Sequence, residues 1–245
     1  MTRDTLIVIP ARLSSQRLKV KMLADIHGYP MIYWTAMRIS KMQLSEYVVA
    51  TDSKCIFDIC KSHGLNVMMT SQHCTNGTGR VYDVSRSRQY DFYVNVQGDE
   101  PLVLKSNVKS IIDSAKENAG FVVALTDVPA GENDTSDVKA LVIQNEVVNL
   151  SRETQVLIHQ SDSYRHPSQI GRVVGLYKYT SKFLSDFCSA QQGPREKKEK
   201  IEQLRCVENR LKIVSHFVAN APRSVDTLQD LDRVRSASRE LLEDV

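Results

Sequence analysis

The chain has 245 residues, 42% hydrophobic and 25% charged, with a formal net charge of +3, as in ordinary soluble globular proteins long enough for one large α/β unit. So small a charge, with acids interspersed among the bases and no interleaved aromatics, excludes a nucleic-acid clamp. Five cysteines without a Cys-x-x-Cys pair and six scattered histidines exclude a thiolate zinc site and a disulfide framework, which leaves carboxylates as the ligands of any metal.

Thr5 to Pro10 is a continuous, β-branched-rich apolar run expected to form the first, central strand of a parallel sheet. It is too short for a signal peptide or membrane span and Arg12 interrupts it, so a cytoplasmic protein with no membrane partner is expected. A helix is predicted to start at Pro30, with Ile32, Ala36 and Ile39 on its apolar face. Tyr47–Ala50 is the second strand, Ile56, Ile59 and Cys60 mark a helix stopped by Gly64, and Asn66–Met69 is the third strand. Helices over Val81–Ser87 and Val108–Ala115 flank a strand at Tyr93–Val96. The second half is strand-rich, with Phe121–Leu125, Val138–Ile143, Glu146–Leu150 and Gly171–Tyr179 and few helices between, which suggests an antiparallel excursion from a parallel sheet. A charge run at Arg195–Lys200 leads into a helix through Glu208, and Leu228–Leu242 is a terminal helix. The pattern predicts one α/β unit over residues 1–245, doubly wound and Rossmann-like.

Ligands collect at the carboxyl ends of strands in such sheets. The loop after the first strand carries Arg12, Arg17, Lys19 and Lys21 with Ser14 and Ser15, a candidate triphosphate cradle that matches neither the Walker pattern nor G-x-G-x-x-G. A basic surface loop would read the same way. Val94-Asn-Val-Gln-Gly-Asp-Glu-Pro101 then places Asp99 and Glu100 at a strand end, where a polyphosphate enzyme needs a carboxylate-held Mg²⁺ and where a plain polar turn would also place acids. Asp226 lies in Ser224-Val-Asp-Thr227, where Asp226 or Thr227 could equally be a helix cap.

These blocks together resemble the 3-deoxy-manno-octulosonate cytidylyltransferases, also called CMP-Kdo synthetases, nearly end to end. The family's P-A-R-x-x-S-[ST]-R-[LF]-P-x-K is echoed by Pro10-Ala-Arg12, Ser15, Arg17-Leu18 and Lys21. V-A-T-D is present at Val49–Asp52, G-T-x-R at Gly77–Arg80, and V-N-V-Q-G-D-E-P intact at Val94–Pro101. E-Q-L-R-x-x-E-N matches Glu202–Arg205 with Glu208-Asn209, and S/G-V-D-T matches Ser224–Thr227. The resemblance implies a nucleotidyltransferase fold whose strand-rich part, about residues 124–179, forms a homodimer. It implies Mg²⁺-dependent transfer of CMP from CTP to the anomeric hydroxyl of an acidic 3-deoxy sugar, giving an activated sugar of the kind used for lipopolysaccharide or capsule. Asp99 and Asp226 would hold the metal, Arg17 and Lys21 the β and γ phosphates. Ala11, Arg12, Ser15, Gly77 and Arg80 would line the nucleotide, Gln97 would read the cytosine, and Arg152, Arg172, Glu202 and Gln203 would contact the sugar.

The chain departs from the family pattern at several places. Lys19 replaces the proline of R-L-P-x-K, Gly79 replaces an acid in S-G-T-[DE]-R, Cys74 stands where a histidine usually precedes that turn, and Val173 replaces the histidine of R-H-I-G. Nucleotide-side residues are better kept than sugar-side ones, so a modified Kdo, a sialic-type sugar or a phosphonate are alternative acceptors, and a degenerate CTP-binding protein is the alternative from another class.

Overall fold

The computed structural model describes residues 4–13, 18, 20–114, 120–128 and 134–245. β1 (Thr5–Ala11) is buried on both faces, as its unbroken apolar run requires. A 3-10 turn (Lys21–Leu23) and the short arms β2 (Asp25–Ile26) and β3 (Tyr29–Pro30) lead to α1 (Met31–Met42), with Pro30 in extended conformation as its N-cap. Then come β4 (Glu46–Thr51), α2 (Lys54–Ser62), β5 (Val67–Met69), α3 (Gly77–Ser85), β6 (Phe92–Val96) and α4 (Lys105–Asp113). α3 starts four residues before the expected Val81, because the Asn76 side chain accepts from the Gly79 amide at 2.7 Å and caps a glycine-rich first turn. Ala115, the expected end of the next helix, lies outside the described residues.

The second half contains β7 (Phe121–Asp127), β8 (Lys139–Ile143), β9 (Glu146–Ser151), α5 (Thr154–Ser161), β10 (Ser168–Thr180) and α6 (Ser181–Ser189). It ends with α7 (Pro194–Glu199), α8 (Leu204–Glu208), β11 (Val214–Phe217), α9 (Leu228–Ser236) and α10 (Arg239–Glu243). The sequence reading omitted α5, α6 and β11. Two helices expected to be continuous are split: Lys200 turns left-handed at φ 55° between α7 and α8, and extended Ala237 and Ser238 separate α9 from α10.

The strands form one sheet in the order β5-β4-β1-β6-β10-β7-β11-β9-β8. β5, β4, β1 and β6 are mutually parallel, while β10 runs antiparallel to β6, β7 and β8. The expected excursion is thus real and continuous with the main sheet, since the 13-residue β10 spans both parts. Successive β1 residues point to opposite faces: Ile7 and Ile9 pack with Trp34, Val108 and Leu231, and Leu6 and Val8 with Val81, Phe183 and Leu204. Each such fully buried aliphatic side chain contributes about 1.5–3 kcal/mol of transfer free energy. Among the described residues no helix is long and apolar enough to cross a membrane.

Candidate active site

Parallel pairing of β1 with β6 brings their carboxyl ends side by side, so the loop after Ala11 and the turn after Val96 emerge at one edge. Gly98 makes the close approach possible. A Cβ there would stand 2.9 Å from the Pro10 carbonyl oxygen and 2.9 Å from Met22 Sδ, so a larger residue would push the turn off β1. Thr35 Oγ1 donates to the Gly98 carbonyl at 2.9 Å and fixes the turn that presents Asp99.

Lys21 reaches the same point from the other loop. Val20 takes a left-handed conformation (φ 53°, ψ 31°), uncommon for a β-branched residue, and turns the chain so that the Lys21 side chain, 9% exposed, points inward. Its ammonium pairs with Asp99 and, at 2.9 Å, with Oδ1 of Asp226. Burial alone would lower the Lys21 pKa, but the attraction of Asp99 and then Asp226 outweighs it and the net shift is upward. The N-cap role beside it falls to Thr227, in a capping box with Asp230, while the Asp226 side chain meets Lys21. The Val225 amide donates to the Asp99 carbonyl at 2.9 Å, which ties the two acid-bearing loops together.

Asp99 and Asp226 converge within reach of a single cation and offer only hard oxygen donors. That donor set fits Mg²⁺, which takes one or two protein carboxylates and completes its shell with substrate phosphates and water. Among the described residues no group of three or more His, Cys, Asp or Glu forms an all-protein metal cage.

Glu100, next in the chain, is 2% exposed. Burial first, and then the neighbouring Asp99, push its carboxyl up to about 8, with hydrogen bonds from Ser224 and Gly175 offsetting only part of the shift.

A second cluster gathers at the N-terminus of α3. A Cβ on Gly77 would lie 3.2 Å from Nε2 of Gln97, 3.5 Å from Nδ2 of Asn95 and 3.7 Å from Oε1 of Glu202. Both carboxylate oxygens of Glu202 accept from Thr78, Oε1 from the hydroxyl at 3.0 Å and Oε2 from the amide at 3.4 Å, so the acid braces this helix start. The protein around that carboxyl raises its pKa, burial being the chief cause. Gln203 is buried against the Tyr177 hydroxyl.

Other predicted site residues are engaged with the protein. Arg80 is 2% exposed, pairs with Asp52 at 2.9 Å and donates to Thr70, which links the G-T-x-R and V-A-T-D motifs. Arg12 is exposed and donates to the Thr75 carbonyl at 3.1 Å, while Ala11 is buried at the end of β1. Arg152 donates to the Ser136 carbonyl. Arg172 donates to the Ala221 carbonyl at 2.8 Å and, with Arg223 and Arg233, lines an open cavity of about 680 Å³. Ser15 and Arg17 lie outside the described residues. Sequence reasoning missed the bracing hydroxyl of Thr78, although it stands inside the G-T-x-R motif.

The cytidylyltransferase family profile matches residues 6–213. The chain is 35% identical to the 3-deoxy-manno-octulosonate cytidylyltransferase of Francisella tularensis subsp. tularensis (strain FSC 198), over 94% of this chain and 96% of the relative. It is 30% identical to the protein of that name from Elusimicrobium minutum, over 96% and 98%. Among solved structures, a CMP:2-keto-3-deoxy-manno-octonic acid synthetase complexed with CTP superposes with a TM-score of 0.82 at 28% identity, covering 95% of this chain and 97% of that one. The inositol-1-phosphate CTP transferase of T. maritima shares the fold, with a TM-score of 0.66 at 14% identity.

Proposed function

We propose that this chain, which belongs to the 3-deoxy-manno-octulosonate cytidylyltransferase family, transfers CMP from CTP to the anomeric hydroxyl of Kdo or a close 3-deoxy relative and releases pyrophosphate. The convergence of Asp99 and Asp226 on Lys21 carries the reading. The sugar oxygen forms a bond to the α-phosphorus as the bond from that phosphorus to the α,β-bridging oxygen breaks, pyrophosphate leaves with the electron pair, and the hydroxyl proton passes to water. Mg²⁺ held by Asp99 and Asp226 would neutralise phosphate charge and orient the α-phosphate when bound.

The chain's own residues bind and orient. Lys21 and Arg17 supply positive charge to the leaving phosphates, and an ammonium already among acids can reorient to a phosphate with little motion. Gln97 presents its amide to the cytosine edge beside Gly77, whose missing side chain keeps that space open. Ala11, Arg12 and Ser15 are candidate nucleotide contacts, and Arg80 holds the α3 turn through Asp52. Arg152, Arg172, Glu202 and Gln203 are the sugar-side candidates, and Glu202 also braces the start of α3 through Thr78.

Pyrophosphate release with CTP and Mg²⁺ tests this, with Kdo, its 8-amino derivative, a sialic acid and no acceptor compared. Release with Kdo is the expected result. Release only with another acid moves the acceptor, and silence with all of them despite CTP binding means the chain binds nucleotide without turnover.

The reading includes a homodimer in the cytoplasm. Free cysteines suit a reducing compartment. α5, beside the β8 edge, leaves Val156 and Ile158 exposed, with Tyr164 just beyond it, apolar side chains that a second copy would cover. Sedimentation is expected to give twice the 27.7 kDa chain mass; a monomer at micromolar concentration would remove the dimer.

A further inference from the structure

Glu100 stands where the segments that carry the site meet. Its Oε1 accepts from the Gly175 amide at 3.2 Å and from the Ser224 hydroxyl at 2.6 Å. Each partner adjoins a residue of the site. Ser224 lies two positions before Asp226, Glu100 directly follows Asp99, and the Gly175 carbonyl accepts from the Gln97 amide at 2.9 Å. The fit is close: a Cβ on Gly175 would lie 2.4 Å from Glu100 Oε1 and 3.0 Å from Gln97 Cβ, so a side chain there would displace the acid. Gly175 also falls in the stretch between Val173 and Tyr177 where the pairing of β10 with β7 shifts register, so the ladder alone leaves this stretch loosely specified.

We propose that Glu100 is a positioning residue that fixes the separation of the Asp99 and Asp226 carboxylates, by tying the Ser224–Asp226 segment and the Gly175 stretch of β10 to the turn after β6. Beside it, a backbone bond from Val225 to Asp99 and the Lys21 ion pairs also connect the second acid to the first. A small hard cation tolerates little error in oxygen placement, so a loop drift of about 1 Å weakens its binding severely. The inference rests on the reading of Asp99 and Asp226 as the cation's ligands.

The test uses Mn²⁺ titration by electron paramagnetic resonance with CTP and no acceptor, hydrogen exchange at the Gly175 and Val225 amides without divalent cation, and steady-state kinetics. Glu100→Ala is expected to weaken Mn²⁺ about tenfold, to lower kcat with KM for CTP within about threefold, and to speed exchange at both amides at least tenfold. Glu100→Gln keeps an acceptor oxygen at the same reach and should hold Mn²⁺ within about threefold of the parent protein. A folded Glu100→Ala protein with unchanged Mn²⁺ affinity overturns the inference, as does Glu100→Gln failing as badly as Ala. Should the alanine variant not fold, Ser224→Ala removes one tie and is expected to weaken Mn²⁺ about threefold; no change overturns the proposal. If Asp99→Asn leaves Mn²⁺ affinity intact, the cation reading itself fails, and exchange at Val225 still decides whether Glu100 ties the two loops.

Discussion

Asp99→Asn is expected to lower kcat about 10³-fold while CTP binding measured without metal changes little. Asparagine preserves the size of the side chain and an oxygen that can accept from Lys21, so the loss reports the missing charge. A thousandfold fall corresponds to about 4 kcal/mol of transition-state stabilisation, the scale on which a preorganised electrostatic contact acts. Asp226→Asn should fall within about tenfold of it. The double variant should be barely worse than the poorer single one, because both carboxylates serve one ion and their losses do not add. Pyrophosphate release across a Mg²⁺ series measures all three. Near-normal turnover in Asp99→Asn would move the catalytic cation away from the β6 turn.

Lys21→Met should lower kcat/KM for CTP about a hundredfold and make the fold's stability depend on divalent cation. In the structure the ammonium neutralises two carboxylates that are 15% and 22% exposed. With methionine there, these acids face each other without the ammonium between them, although their partial access to water limits the penalty to about 2 kcal/mol. For a chain of this length that is a fall in Tm of roughly 5 °C without Mg²⁺, largely recovered at millimolar Mg²⁺, which takes over the neutralising role. Differential scanning calorimetry with and without Mg²⁺ reads the difference. An equal loss in both conditions would place the effect in the packing of the Lys21–Leu23 turn.

The block Val94–Pro101 shows why much of the site could be read in advance. Its strand signal is local, because alternating apolar residues and a following Gly-Asp need only nearest neighbours to be interpreted. The same holds for β1 and for the start of α1 directly after Pro30. Where the reading failed, the deciding contact was remote or the local signal weak. β11 is short and half-buried, and pairs with β7 and β9, whose sequences lie far away. α3 begins in Gly-Thr-Gly, which has low helix propensity, and forms because Asn76 caps it and Glu202, more than a hundred residues on, braces Thr78. The break at Lys200 follows no proline or glycine.

Local sequence by itself determined the parallel βα half, the turn that ends in Asp99, and the ordered motifs that mark the family. Each depends on residue type and short spacing. The tertiary structure alone decided that Lys21 stands between Asp99 and Asp226, that Thr227 and not Asp226 caps α9, that Arg80 is bound to Asp52, and that Glu100 joins Gly175 to Ser224. These pairs are separated by up to 205 residues. Only the sheet order and burial of the loops determine which of many possible cations and hydroxyls each acid meets.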